Sequence, residues 1–227
     1  MSYLGSKAAS GAYQAIIASM PPHDTYIETH LGSGAVMKRK PLAARTIGID
    51  LDETAISAFV GTAGVELHQG DAVAFLRKFD CQAAGRVLIY ADPPYLHSTR
   101  TSRTRYRCEY SEADHVELLH ELEKQSLAGA AVMLSGYPSD LYDGLLSNWR
   151  TMEFQVMTRG GPRTEKLWMN FDANATHWAS YAGANFTDRQ RIKRKAQRWA
   201  DSYRELPVAE RLAVLAALLE CERIEHS

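Results

Sequence analysis

Five apolar residues in succession, Val87-Leu88-Ile89-Tyr90-Ala91, run directly into Asp92-Pro93-Pro94-Tyr95, and no other stretch of the chain constrains the fold as much. An apolar run of that length that stops at two prolines reads as a buried parallel strand, because proline cannot donate to a sheet ladder and the chain must turn there. The tetrapeptide then sits at a strand's carboxyl end. In open α/β sheets that edge is where ligands bind, so a carboxylate, stiff backbone carbonyls and an aromatic ring are offered together to one cleft.

The surrounding chain fits such a sheet. Apolar runs alternate with helix-like stretches from Thr25 to about Phe171, the pattern of a parallel sheet wrapped by helices. Strands are expected over Thr25–Thr29, Thr46–Asp50, Glu66–Gln69, Arg86–Ala91, Ala130–Ser135, Met152–Thr158 and Lys166–Phe171. Helices are expected around Gly34–Lys40, Glu53–Val60, Asp71–Arg77, Glu112–Lys124 and Pro138–Leu146. Ser111 followed by Glu112 and Asp114 reads as a capped helix start. From Thr187 the character changes. Thr187 is placed to cap a helix rich in arginine and lysine, and Pro207 opens a second, apolar helix reaching about Glu222. Residues 1–180 are therefore expected to form the α/β domain and 181–227 a basic helical tail. At 227 residues and 45% hydrophobic, the chain is long enough for that core and a small appendage.

Composition narrows the setting. The formal net charge is −1, so any nucleic-acid surface must come from uneven charge distribution. The three cysteines, Cys81, Cys108 and Cys221, lack a short CxxC spacing, which argues against a zinc site or a disulfide framework and suits a reducing cytoplasm. No apolar signal segment opens the chain and no run of eighteen apolar residues occurs, so neither secretion nor a membrane partner is expected.

A second constellation lies upstream. Tyr26-Ile27-Glu28-Thr29-His30-Leu31-Gly32-Ser33-Gly34 is a strand entering a Gly-x-Gly loop that opens a helix. Alone it is weak evidence, since glycine serves any sharp turn. The next strand, however, ends in Asp50, where a carboxylate can grip ribose hydroxyls or cap the helix after Glu53. The third ends in Gly70-Asp71, with an acid able to accept a bond from an adenine amine. A third glycine at dinucleotide spacing and a Gly-Lys-Ser/Thr are both missing, so NAD and P-loop ATP are disfavoured and a single adenosine moiety fits better.

Together with Tyr3-Leu4-Gly5-Ser6-Lys7 and Asp92-Pro93-Pro94-Tyr95, this arrangement resembles the Dam-like DNA adenine N6-methyltransferases, over most of residues 1 to about 171. The resemblance implies a Rossmann-like α/β sheet and S-adenosylmethionine as cofactor. It implies that Tyr3 and Lys7 cover the methionine end of the cofactor, that Glu28, Leu31, Gly32 and Gly34 form its floor, and that Asp50 and Asp71 hold ribose and adenine. It further implies catalysis by Asp92, Pro93, Pro94 and Tyr95. The chain departs from the family in carrying Thr29-His30 where Pro-Phe is usual, and in leaving only about twenty residues between Asp71 and Asp92, where a recognition domain normally intervenes.

An adenine N6 amine is a poor nucleophile because its lone pair is delocalised into the ring. If Asp92 accepts one N6 proton and the Pro93 carbonyl the other, both bonds strengthen as nitrogen becomes cationic in the transition state. Tyr95 would stack on the flipped target base, stiffened by Pro94. Double-stranded DNA is the expected partner. Phosphate and base contacts are expected from Arg100, Arg103, Arg105 and Arg107, from Arg159 and Arg163, and from Lys193 and Arg194 in the tail. No metal is called for. RNA methylation and a non-catalytic nucleic-acid binder on the same scaffold remain open alternatives, as do oligomeric state and target sequence.

Overall fold

Val87–Ala91 forms a strand buried at every position, as an apolar run covered on both faces must be. The computed structural model that contains it describes residue 7 and residues 12–59, 63–99, 107–158, 161–173 and 186–224, with backbone alone at 157–158, 186 and 219–224. The chain divides into two compact units, Met1–Trp178 and Ala179–Ser227.

The first unit is built on seven strands: β1 (Thr25–Glu28), β2 (Arg45–Asp50), β3 (Val65–Gln69), β4 (Val87–Ala91), β5 (Ala131–Gly136), β6 (Arg150–Thr158) and β7 (Gly161–Met169). They lie in the order β3-β2-β1-β4-β5-β7-β6, a Rossmann-like mixed α/β sheet flanked by helices. The strands from β1 to β5 pair in parallel, and β7 runs antiparallel between β5 and β6. The sequence pattern points to a parallel sheet, and the β6–β7 pair departs from it. Only two residues separate β6 from β7, far short of the dozen a parallel crossover needs, so that pair can only be a hairpin. β7 also begins five residues before the expected Lys166, because the hairpin ladder carries it outward as far as Gly161 opposite Thr158.

Alternation along the strands sorts the core. Ile27, Ile47, Ile49, Val87, Ile89, Val132 and Leu134 form one cluster with Val73 and Leu76 of α3 (Ala72–Leu76), Leu118, Leu119 and Leu122 of α4 (Glu112–Leu127) and Tyr142 of α5 (Asp140–Leu145). The intervening Tyr26, Leu88, Tyr90 and Met133 are equally buried but outside that cluster, as are Ile16 and Ile17 of α1 (Ala12–Ala18). A period of two places those strand residues on the opposite face. α4 starts with the expected cap: Ser111 Oγ accepts from the Asp114 N–H, and Asp114 returns a bond to the Ser111 N–H, closing a capping box.

Some expectations fail locally. Gly34–Lys40 makes isolated turns rather than a helix, with Lys38 N–H donating to Gly34 and Lys40 N–H to Val36 before Pro41 ends the series. Asp52, not Asp50, caps α2 (Glu53–Ala58), through the Thr54 N–H. Ser139, rather than the segment from Pro138, marks the start of α5.

The second unit is a helical hairpin of α6 (Phe186–Glu205) and α7 (Val208–Ile224), turning at Leu206-Pro207. Thr187 falls inside α6 and is not its cap. Lys193 and Arg194 are exposed on α6, while Asp188 and Asp201 each pair with an arginine three residues on. No described helix is long and apolar enough to cross a membrane.

Candidate active site

In the strand order, β1 and β4 are neighbours whose connections leave toward opposite sides of the sheet, which opens a crevice beyond their carboxyl ends. A cleft lies there. Its walls come from the end of β1 and the following loop (Glu28, His30, Leu31, Gly32), from the end of β2 (Asp50), from Gly70 and Ala72 after β3, and from Asp92 to Tyr95 after β4. Four strand ends thus meet in one cavity. Lys7 completes its floor, and Arg107, Cys108 and Tyr110 close another side.

The glycine loop is held open by its own backbone. Gly32 and Gly34 have φ of 51° and 61°, the left-handed region that other residues enter only under strain. A Cβ built on Gly34 would overlap the Phe59 ring. Asp50 fixes the loop from the neighbouring strand: Oδ2 accepts from Gly32 N–H at 2.7 Å, and Oδ1 from Asp52 N–H at 2.8 Å. A carboxylate has about four acceptor positions, so Asp50 retains capacity for a ligand's hydroxyls. Asp71 is placed differently. Its exposed carboxylate caps α3 through Ala74 N–H at 2.7 Å, and its neighbours Gly70 and Ala72, not Asp71 itself, line the cleft.

Glu28 is buried, accepting the Tyr26 hydroxyl at 2.9 Å. Burial pushes its carboxyl up to about 8, helped by the charge of Asp92 and opposed by the bonds from Tyr26 and the Met37 backbone. His30, where the Dam-like family has phenylalanine, faces Tyr110: Nε2 lies 3.0 Å from the Tyr110 hydroxyl and Nδ1 2.9 Å from Thr29 Oγ1. Burial lowers its imidazole to about 3, so His30 is a neutral wall.

Beyond β4 the expected tetrapeptide is embedded in a polar network. Asp92 Oδ1 accepts from Lys7 Nζ at 2.6 Å and from Ser135 Oγ, at the end of β5, at 2.8 Å. Burial pushes the Asp92 carboxyl above its ordinary range, while Lys7 pulls the other way. For Lys7 burial opposes the charge, but Asp92 and Glu165 together outweigh it and hold the ammonium above its usual range. Lys7 Nζ also donates to the Tyr95 hydroxyl at 2.7 Å, and that hydroxyl donates to Glu165 Oε1 at 2.8 Å. Tyr95 is consequently only 6% exposed, with its ring 4.2 Å from that of Tyr137. An open stacking shelf is not what the structure presents, because the hydroxyl is tied inward.

Of the other expected residues, Arg107 lies on the cleft wall but is anchored to α2, pairing with Asp52 at 3.7 Å and donating to the Thr54 hydroxyl. Arg163 is exposed on β7, away from the cleft lining. Tyr3, Arg100, Arg103, Arg105 and Arg159 lie outside the described residues. Ser135, Glu165 and Tyr110 escape the sequence reading. Ser135 alone left a signal, being a polar residue at the carboxyl end of the strand after β4.

No family model and no curated protein matches the chain. Solved structures of similar fold include the precorrin 8W decarboxylase of Methanobacterium thermoautotrophicum, 13% identical over 75% of this chain and 97% of that one, with a TM-score of 0.48. A dimethyladenosine transferase from Plasmodium falciparum is 18% identical over 69% of this chain and 60% of that one, at 0.44. The O-methyltransferase TomG from Streptomyces achromogenes, solved in complex with SAM, is 14% identical over 73% of this chain and 82% of that one, at 0.46. The strand order and the cleft stand independently of these likenesses.

Proposed function

We propose that the chain is an S-adenosylmethionine-dependent methyltransferase of the Dam-like kind, acting on the N6 amine of adenine in double-stranded DNA. The observation that carries this reading is the convergence of Asp92-Pro93-Pro94-Tyr95 with the Gly32–Gly34 loop and Asp50 in one cleft. The cleft's chemistry suits an adenosine-bearing sulfonium. Leu31, Ala35, Val36 and Ala72 offer an apolar slot, and Asp50 accepts hydroxyls. S-adenosylmethionine would supply an electrophilic methyl group.

The protein's part is positional and electrostatic. Asp92 would accept one N–H of the target amine and the Pro93 carbonyl the other, drawing electron density onto nitrogen. Both acceptors gain as nitrogen becomes cationic, so no strong base is needed before attack. A duplex base cannot reach this cleft while stacked, so the target nucleotide must be extruded. Exposed Lys193 and Arg194 on α6, and Arg163 on β7, supply positive charge for backbone contact.

The test is transfer of labelled methyl from S-adenosylmethionine to unmethylated genomic DNA and, in parallel, to total RNA, followed by nucleoside analysis. N6-methyladenine in DNA, lost in Asp92→Ala with cofactor affinity kept within a few-fold, is the expected result. Label in RNA alone refutes the DNA assignment. An active Asp92→Ala variant refutes the mechanism.

A further inference from the structure

A half-buried carboxylate, Asp92, and a buried one, Glu165, compete for one lysine at the heart of this site. Lys7 Nζ touches Asp92 Oδ1 at 2.6 Å and the Tyr95 hydroxyl at 2.7 Å, which occupies two of its three N–H donors. Glu165 Oε2 lies 3.5 Å from the same nitrogen, inside ion-pair range but beyond hydrogen-bonding reach, and it is a buried oxygen with no hydrogen-bond partner. Its other oxygen is held by the Tyr95 hydroxyl at 2.8 Å. A spare donor on Lys7 therefore faces a spare acceptor on Glu165 across a gap that a small shift closes. A buried acceptor without a partner gains a bond if Lys7 shifts toward it.

We propose that Glu165 is a positioning residue that draws the Lys7 ammonium off Asp92 when the target amine arrives. The inference rests on the methyltransferase reading above and deepens it. With both acids ionised and Lys7 protonated, the trio carries one net negative charge, and the place of Lys7 decides which carboxylate presents it. In the structure Lys7 bonds Asp92 directly and reaches Glu165 only at ion-pair distance. An amine becoming cationic beside Asp92 repels the ammonium and is stabilised by a bare carboxylate. Moving Lys7 from Asp92 to Glu165 delivers both changes without any proton transfer. The Tyr95 hydroxyl, bonded to Lys7 on one side and Glu165 on the other, is the pivot, and Ser135 Oγ keeps Asp92 oriented after the lysine leaves. Lys7 on Asp92 thus keeps that carboxylate from standing unpaired.

Two experiments decide this. The first needs no activity: a crystal structure of Asp92→Asn, which removes the competing charge and keeps the shape. Lys7 Nζ is expected within about 2.8 Å of Glu165 Oε2, the ordinary length of a charged N–H···O bond. A nitrogen that stays at its present distance from Glu165 overturns the proposal. The second is kinetic. Glu165→Gln keeps the acceptor for Tyr95 but removes the charge, and is expected to lower kcat by roughly tenfold or more, the equivalent of one pKa unit of electrostatic bias. KM for nucleic acid and cofactor affinity by calorimetry should stay within about twofold. Adding Lys7→Met to Glu165→Gln should recover part of the lost kcat, since the stranded cation is then gone. A role in folding alone predicts the reverse, a double variant worse than either single one. A wild-type protein that methylates no nucleic acid would sink the methyltransferase reading, and the Asp92→Asn structure would still decide where Lys7 goes.

Discussion

Replacing Glu28 with glutamine should stabilise the protein, and more so as pH rises. Burial lifts the Glu28 carboxyl from its ordinary 4.5 to about 8, so between those values the folded protein holds a proton that the unfolded chain has released. Stability then falls as pH climbs through the interval. Other groups confine the clearest window. Burial lowers His23 to about 4 and His30 to about 3 from 6.5, so their contribution rises with pH and is complete by about 6.5. Burial lowers Lys40 from 10.5 to about 8, so its contribution begins to rise only above that value. Between pH 6.5 and 8 Glu28 dominates. At about 1.4 kcal/mol per pH unit, that span gives a loss of about 2 kcal/mol in the wild type. Burial also raises Asp50 and Asp92, and any contribution from them has the same sign, so the quantity to read is the difference between wild type and Glu28→Gln. Urea unfolding followed by near-ultraviolet circular dichroism at pH 6.5, 7.2 and 8.0 measures it. The variant keeps an oxygen for the Tyr26 hydroxyl, so the two curves should diverge by about 2 kcal/mol across the window. Parallel curves would refute the reasoning and return Glu28 to an ionised carboxylate.

Gly34→Ala forces a Cβ into the Phe59 ring at a φ of 61°, and should cost at least about 2 kcal/mol in urea unfolding while abolishing cofactor binding in calorimetry. A wild-type midpoint would show the loop to be pliable. Asp50→Ala strands the backbone N–H groups of Gly32 and Asp52, so it should lower stability by about 1–3 kcal/mol and cofactor affinity by tenfold or more, whereas Asp71→Ala should cost about 1 kcal/mol through the α3 cap. An equal loss of cofactor affinity in the two variants would contradict the assigned contacts.

What could be read from the chain and what could not divides along a physical line. Strand ends and their polar residues were legible because each is a local event: Ala91 meets Asp92 and two prolines, and Ile49 meets Asp50, whatever the rest of the molecule does. The capping box at Ser111 is likewise closed within four residues. The Gly34 segment misled because two glycines before an apolar stretch suit both a helix start and a left-handed loop, and the Phe59 ring that leaves no room for a Cβ at Gly34 comes from the distant end of α2. Short α1 gave no cap and too few turns to show a period. The network around Asp92 lay further out of reach. Lys7 is 85 positions from Asp92, and Glu165 is 70 from Tyr95. Read alone, Lys7 is a solvated charge and Glu165 a polar residue ahead of an apolar strand. Only the insertion of β7 between β5 and β6 brings Glu165 in. That insertion pairs Lys166 with Gly136 and leaves Glu165 just past the end of β5, beside Ser135 and the tetrapeptide. The hairpin that produces it was implied by the two residues separating β6 from β7, so strand direction was the step at which the buried acid could have been found.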